Sequence, residues 1–383
     1  MKRTVNAILL ALMLLPISSG SAGGLEEKPR PQGSKIGDDL LRRMIGQMVL
    51  VGFVGNRQRD GGFQTVARQA GKGRLAGVLY LGRNIRTLDG VKAMNEALQA
   101  AAAGLPLLVA VDQEGGRIER LTKAVGFNEM PSAASVAQSM TPKEAQATYK
   151  LMAIQLAGLG FNLNLGPVVD LNTNPNNPII GRLGRSFSAD GEKTTEYGRA
   201  FVEGHRQAGV LTALKHFPGH GSSVGDTHNE VVDVSETWKE SELVPYEELI
   251  DSGDADMVMS AHVINRNIPG AERTPASMSP ATLVGLLRKK LRFKGVIISD
   301  DLQMEAIAGT MGFDDTVLHA VMAGNDILVF ANDKHPDPTI PDRVSDLLVV
   351  EARENPALMM RIQESYGRVV RLKSKIEPKP MSR

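Results

Sequence analysis

Short runs that are apolar at successive positions, rather than at alternate ones, recur along this chain and most narrow what it can become. The run at 295–299 is one of them. A strand with apolar side chains on both sides is covered on both faces, the situation of parallel strands flanked by helices. Eight candidate strands can be read, at 47–53, 77–81, 107–111, 162–165, 212–215, 257–261, 296–299 and 327–330. Longer helical patterns lie between them, among them 90–103, 142–159, 191–208, 240–252 and 280–291. This alternation predicts an α/β fold, and eight strands predict a (β/α)8 barrel of TIM type in a single domain. An open, doubly wound sheet is the competitor. No Pro/Gly/Ser-rich linker interrupts 40–375, so one domain is expected over 38–376, with a short tail at 377–383.

The first residues have a different character. Lys2 and Arg3 precede an apolar run from Ala7 to Ile17, followed by Ser18-Ser19-Gly20-Ser21-Ala22. That order predicts a secretory signal over 1–22, then a Gly-, Pro- and charge-rich linker over 23–37. The run is short for a membrane span, so no stable membrane anchor is expected. Localisation is expected to be exported, periplasmic or secreted. The chain has no cysteine, which rules out disulfides, thiolate metal sites and lipid attachment through an N-terminal Cys. A net charge of +1 gives no reason to expect nucleic acid as a partner.

Polar residues follow the strands: Asp112 the third, Lys215-His216 the fifth, His262 the sixth, and Asp300-Asp301 the seventh. In a barrel these positions open onto one face, where catalytic groups collect. The run Lys215-His216-Phe217-Pro218-Gly219-His220-Gly221 leads to Asp226-Thr227-His228. His216 and His220 have the spacing of a helical zinc pair, but Pro218 and Gly219 between them forbid a regular helix. The glycines lack the Gly-Lys-Ser/Thr ending of a phosphate loop. A loop carrying a cation and imidazoles suits hydroxyl-rich ligands and proton transfer. Asp226 two residues before His228 reads either as an orienting partner for a general acid or base, or as the cap of a solvated turn. After Ser299, Asp301 can cap a helix beginning near Leu302, leaving Asp300 over the barrel mouth as a nucleophile. Pattern alone leaves the two aspartates interchangeable. The turn from Asp112 to Arg120 is a polar clamp for hydroxyls or a surface salt-bridge turn. Arg182 and Arg185 lie in a long loop holding Asn174-Pro175-Asn176-Asn177-Pro178.

Together these segments resemble glycoside hydrolase family three, in its single-domain β-N-acetylglucosaminidase branch. The matching features are Gly77-Val78-Leu79-Tyr80-Leu81-Gly82-Arg83-Asn84, the Asp112–Arg120 turn, Arg185-Ser186-Phe187, the Lys215–Gly221 run with Asp226-x-His228, and Ser299-Asp300-Asp301-Leu302. The resemblance implies a retaining enzyme that removes terminal β-linked N-acetylglucosamine through a covalent glycosyl-enzyme. It implies Asp300 as nucleophile, His228 as acid/base and Asp226 as its partner. Asp112, Arg120, Arg185, Lys215 and His216 are implied to grip the sugar. No metal and no organic cofactor are implied, the expected partner is an N-acetylglucosamine-containing glycan, and the expected state is a monomer. The chain departs from compact intracellular members in its signal-like start and in the longer loop with Arg182. Three other readings are a phosphorylase, a hexosaminidase that uses the substrate's acetamido group as nucleophile, and an exported sugar-binding protein of two lobes.

Overall fold

The structure, a computed structural model, describes residues 36–376. The expected signal segment, most of the linker and the tail at 377–383 lie outside the described residues. From Gly37 onward the chain forms one unit. Its eight central strands are β1 (Val49–Gly52), β2 (Gly77–Tyr80), β3 (Leu108–Val111), β4 (Leu163–Asn164), β5 (Leu211–Phe217), β6 (Met257–Ser260), β7 (Val296–Asp301) and β8 (Ile327–Phe330). They pair in chain order, all parallel, and β8 pairs back onto β1 through Val49↔Leu328. The ring is closed, so the fold is the expected (β/α)8 barrel and not an open sheet.

A two-residue period organises this ring. Leu50, Leu79, Leu108, Ala110, Leu163, Leu211, Ala213, Met257, Met259, Val296, Ile298, Ile327 and Val329 form one buried cluster, the filling of the barrel. Their neighbours in the strands, such as Leu214, Val258 and Ile297, pack instead with Tyr246, Leu249, Leu283 and Leu287 of the helical layer. That is why the strands read as continuously apolar: each face has its own core. Irregularities of register fall between Leu214 and Phe217 on β5, and opposite β7 between Ile327 and Val329 on β8. Both lie toward the ends that carry polar residues, where such breaks re-aim side chains.

The helices begin where local chemistry supplies a cap. The helix Pro142–Gly158 starts with Pro142 in its first turn, and Thr141 and Glu144 each accept the other's backbone N–H, satisfying donors the first turn leaves open. The helix Gly191–Arg206 is capped by Asp190. Two expected helices differ in detail. The segment expected at 240–252 is a 3₁₀ turn over Glu240–Leu243 and becomes α-helical over Val244–Asp251, with Pro245 in the first turn. The segment expected at 280–291 is wound with wider, i→i+5 turns over Ala281–Lys290. Among the described residues no helix is long and apolar enough to cross a membrane.

The closing helix Pro356–Lys373 seals the barrel at the end opposite the polar residues. Val369 and Leu372 join the interior cluster. Lys373 is buried beside them and donates to Gln47 Oε1 (2.6 Å) and Ala76 O (2.7 Å), just before β1 and β2. Burial without a carboxylate pulls the Lys373 ammonium down from 10.5 to about 7. The unfolded chain therefore holds this proton between about pH 7 and 10 while the folded chain does not, so Lys373 makes stability rise with pH over that window. Urea midpoints measured from pH 7 to pH 9.5 should rise less steeply for Lys373→Met than for the parent protein. Equal slopes would contradict the burial argument.

Candidate active site

The inward period carries polar residues at the C-terminal ends of three strands. Two residues beyond Ala110 stands Asp112, two beyond Ala213 stands Lys215, and two beyond Ile298 stands Asp300. All three line one cavity at the mouth of the barrel. The same period separates the adjacent aspartates. Asp301 has the opposite parity, and its Oδ1 accepts the N–H groups of Gln303 (3.1 Å) and Ala331 (2.9 Å), tying the end of β7 to the chain after β8. The expectation that Asp301 caps a helix at Leu302 is therefore corrected. The next helix is the short Glu305–Ala308, whose preceding residue is Met304, and Asp301 is a strand-to-strand latch.

One wall of the cavity is a network of paired charges. Lys215 Nζ reaches Asp112 Oδ1 at 2.9 Å and Glu114 Oε1 at 2.6 Å. Arg185 grips Glu114 with two parallel bonds, Nε to Oε2 and Nη2 to Oε1, both 2.8 Å, and its Nη1 donates to Ile179 O. Arg120 Nη2 lies 3.3 Å from Asp112 Oδ2. Burial opposes ionisation of Glu114, but Arg185 and Lys215 outweigh it and hold the carboxyl well below its usual range. Asp112 is likewise lowered by Lys215 and Arg120 against its burial. Bidentate and doubly shared ion pairs of this kind fix donors and acceptors in direction as well as in charge. The wall is thus a rigid, pre-oriented surface for a hydroxyl-bearing ligand.

A second carboxylate organises the histidine loop. Asp170, buried in the loop after β4, accepts His216 Nδ1–H at 2.7 Å, the His216 backbone N–H, and the His220 backbone N–H at 2.8 Å. Because a carboxylate accepts only, the His216 proton is fixed on Nδ1, and Nε2 is left for the cavity. His220 Nδ1 bonds Ser223 Oγ at 2.8 Å, and burial together with His216 pulls the His220 imidazole down to about 4. The loop's glycines answer to close approach. A Cβ on Gly221 would stand 1.7 Å from Leu171 O, and Gly219 combines φ +123° with the Glu242 carboxylate beside it.

His228 stands on the arm beyond this loop. Its Nδ1 is 2.6 Å from Asp226 Oδ1, and its backbone N–H donates to the same oxygen at 2.9 Å. Asp226 therefore does both things its spacing allowed: it turns the chain and orients the ring. The His228 side chain is 57% exposed and lines the cavity together with Asp300. Burial alone would raise the Asp300 carboxyl. The imidazoles of His262, His216 and His228, with the Asp301 N–H, outweigh it and keep Asp300 below its ordinary range. At its neighbour Asp301 burial, joined by the Asp300 charge, outweighs the N–H groups of Ala331 and Gln303 and pushes the carboxyl up to about 6.

Seven of the eight residues singled out in the sequence line this cavity: Asp112, Arg120, Arg185, Lys215, His216, His228 and Asp300. The eighth, Asp226, stands behind His228. Sequence reasoning passed over Glu114 and Asp170. Glu114 shares the parity of Asp112 two residues before it, a signal that was present. Asp170 lies six residues past the end of the two-residue β4, too far for the strand-end rule to reach. His262 was placed after the sixth strand without a role. Its Nε2 donates to Asp301 O (2.9 Å) and its Nδ1 meets Ser277 Oγ (2.7 Å), so it holds the backbone beside Asp300.

A closed (β/α)8 barrel with a carboxylate and an imidazole facing one polar cavity defines a barrel enzyme of acid/base or glycosyl-transfer type. Comparison with known proteins makes the class specific. The description "Glycosyl hydrolase family 3 N terminal domain" matches residues 40–372, and the chain belongs to that family: it is a glycoside hydrolase. It is 37% identical over 287 residues to a beta-hexosaminidase of Tolumonas auensis, covering 74% of this chain and 80% of that one. It is also 37% identical over 282 residues to beta-hexosaminidase LpqI of Mycobacterium tuberculosis, covering 72% and 70%. A glycoside hydrolase family 3 beta-N-acetylglucosaminidase from Paenibacillus superposes with a TM-score of 0.80 at 30% identity, over 89% of this chain and 64% of that one. A beta-N-acetylhexosaminidase from Beutenbergia cavernae gives 0.79 at 30% identity, over 87% and 98%.

The charged wall carries its own test. Removing one member of a buried ion cluster leaves its partners' charges uncompensated, at about 3–5 kcal/mol. Glu114→Gln should lower thermal stability by that order and weaken substrate binding, since Arg185 and Lys215 lose their common anchor. An unfolding midpoint and a KM both at parent values would show that the network is not the brace it is drawn as.

Proposed function

We propose that this protein is a retaining exo-β-N-acetylglucosaminidase that releases terminal β-linked N-acetylglucosamine from peptidoglycan fragments or chitooligosaccharides. The observation that carries the reading is that Asp300 and His228 face one cavity, between a rigid charged wall and an exposed arm. The beta-hexosaminidase and beta-N-acetylglucosaminidase names of the relatives support the sugar. The N-terminal order of Lys2-Arg3, apolar run and small residues supports export.

In the first step an Asp300 oxygen attacks the anomeric carbon, the bond from that carbon to the leaving oxygen breaks, and the leaving oxygen takes the Nε2 proton of His228. In the second step His228 Nε2 accepts a proton from water. The resulting hydroxide oxygen attacks the same carbon, and the ester bond to Asp300 breaks. Each group ends as it began, as a double displacement requires. Asp226 keeps the His228 ring directed at Nδ1 and offsets the charge of the protonated ring, which frees Nε2 for the exchange. The lowered Asp300 is ionised when substrate arrives, which is what a nucleophile needs. Asp112, Arg120, Arg185, Lys215 and His216 hold the hydroxyls and acetamido group of the terminal sugar.

Asp300→Asn should lower turnover by on the order of 10³-fold or more on every substrate. His228→Ala should cost on the order of 10²–10⁴-fold on an alkyl N-acetylglucosaminide, the range of general acid catalysis, and far less on a 4-nitrophenyl one, whose leaving group needs no proton. Equal losses on the two substrates would remove His228 from the acid role. Labelled sugar trapped on Asp300 would exclude attack by the substrate's own acetamido group. Free sugar should be the product with and without phosphate in the buffer; a sugar 1-phosphate would make the enzyme a phosphorylase.

A further inference from the structure

The stretch Asn174-Pro175-Asn176-Asn177-Pro178 of the long loop has no part in the chemistry above, yet Asn177 within it is fully buried and its amide is fully bonded. Asn177 Nδ2 donates to His220 O (2.7 Å), Gly221 O (3.1 Å) and Ser223 Oγ (3.0 Å). Its Oδ1 accepts the N–H groups of Ile179 (3.0 Å) and Ile180 (2.9 Å). Two carbonyls on one side and two N–H groups on the other leave only one orientation for the amide. Asn174 adds a bond from Nδ2 to Ser223 O at 2.8 Å.

These contacts fall at a particular place. After buried Ser223 the chain emerges at Val224, 75% exposed, passes half-buried Asp226, is buried again at Thr227 and ends the segment at exposed His228. Ser223 Oγ also holds the His220 ring, and His220 Nε2 lies 3.4 Å from Thr227 Oγ1 on the arm itself. At the other end of the loop, Ile179 O and Ile180 O accept Nη1–H and the backbone N–H of Arg185, the residue paired with Glu114 in the cavity wall. A single side chain therefore joins the wall that would hold the sugar to the root of the arm that carries the imidazole.

We propose that Asn177 is a positioning residue that sets where the His228 arm stands relative to the bound sugar, and that the long loop exists to carry it. The inference rests on the reading of His228 as the acid/base. The segment 224–228 is held at its root through Ser223 and again at buried Thr227, through His220 Nε2 and the Ala306 N–H. Asn177 fixes the first of these holds and the backbone of His220 beside the second, and a misplacement of about 1 Å at a reacting centre costs on the order of 10²-fold. The error falls on proton delivery, not on attack by Asp300 or on the grip of the sugar wall.

The test compares Asn177→Ala, Asn174→Ala and His228→Ala in the full chain, each on a 4-nitrophenyl and an alkyl N-acetylglucosaminide. Asn177→Ala should lose kcat roughly 10–100-fold on the alkyl substrate and under about threefold on the nitrophenyl one, with KM for the nitrophenyl substrate unchanged. Asn174→Ala, which removes the partly buried bond to Ser223 O and the exposed bond from Asn176 N–H and leaves the buried amide in place, should show a smaller loss of the same selectivity. It carries the test if Asn177→Ala does not fold. Equal losses on both substrates, or none, in a folded variant would overturn the proposal. If His228→Ala is selective and the asparagine variants are not, this inference alone falls. If His228→Ala is itself unselective, the acid/base reading fails first.

Discussion

The two-residue period of eight parallel strands is the constraint from which the site follows. Inside a closed barrel every second side chain must be apolar, because the interior is packed and dry, and Leu, Ala, Met, Val and Ile fill it here. At the upper rim the same direction stops being core and becomes cavity. Asp112, Lys215 and Asp300 occupy the first inward positions above the aliphatic layers. Charges placed so close to a hydrocarbon floor are costly unless they pair, and pairing is what the wall shows: Lys215 between Asp112 and Glu114, and Arg185 laid flat on Glu114. The polarity of the site and its rigidity thus have one cause. Groups that must neutralise each other to be buried cannot also wander.

The same chemical pair, an aspartate on Nδ1 of a histidine, occurs twice around this cavity with opposite exposure. Asp170 and His216 are buried, and Asp170 also fastens two backbone N–H groups. Asp226 and His228 stand in solvent, with the aspartate 24% and the histidine 57% exposed. The buried carboxylate is held by three N–H groups, His216 Nδ1–H and the backbone N–H groups of His216 and His220. Such a pair suits a fixed hydrogen bond to a ligand. The exposed pair has solvent within reach, which suits the proposed exchange of a proton between His228, the leaving group and water. In the proposed reaction burial, not residue type, would divide the labour between the two imidazoles.

Much of this was legible in the sequence because it depends on periodicity. Doubly apolar runs told of parallel strands, their count told of closure, and polar residues at their ends told of the mouth. The choice between Asp300 and Asp301 rests on parity from Ile298, and a strand apolar on both faces does not show in sequence which parity points inward; the resemblance supplied the choice in its place. Other parts were not legible, for physical reasons. Asp170 acts across loops, and nothing local distinguishes a carboxylate that will meet two histidine segments some 46 to 50 residues away from one in solvent. Asn177 looks like any turn-forming asparagine beside proline, and its role appears only when the loop after β4 is laid against the loop after β5. The helix beginning at Glu240 was misread in its first turn because Pro245 delays regular α-geometry to Val244.

The proposed placement of the acid/base on an arm has a consequence for how such a site can evolve. A carboxylic acid in this role would need burial to raise its pKa, as Asp301 is raised to about 6 by its surroundings. It would then belong to the barrel wall and share its rigidity. An imidazole needs no burial to titrate near neutrality, so it can sit on an exposed segment and be carried to the sugar from outside the barrel. The cost is moved from electrostatics to geometry. The wall fixes itself through charge, but the arm must be held from elsewhere, and the loop from 172 to 184 lies where a brace would have to be. On the proposed reading, length in that loop would be a way to adjust proton delivery apart from the charged wall.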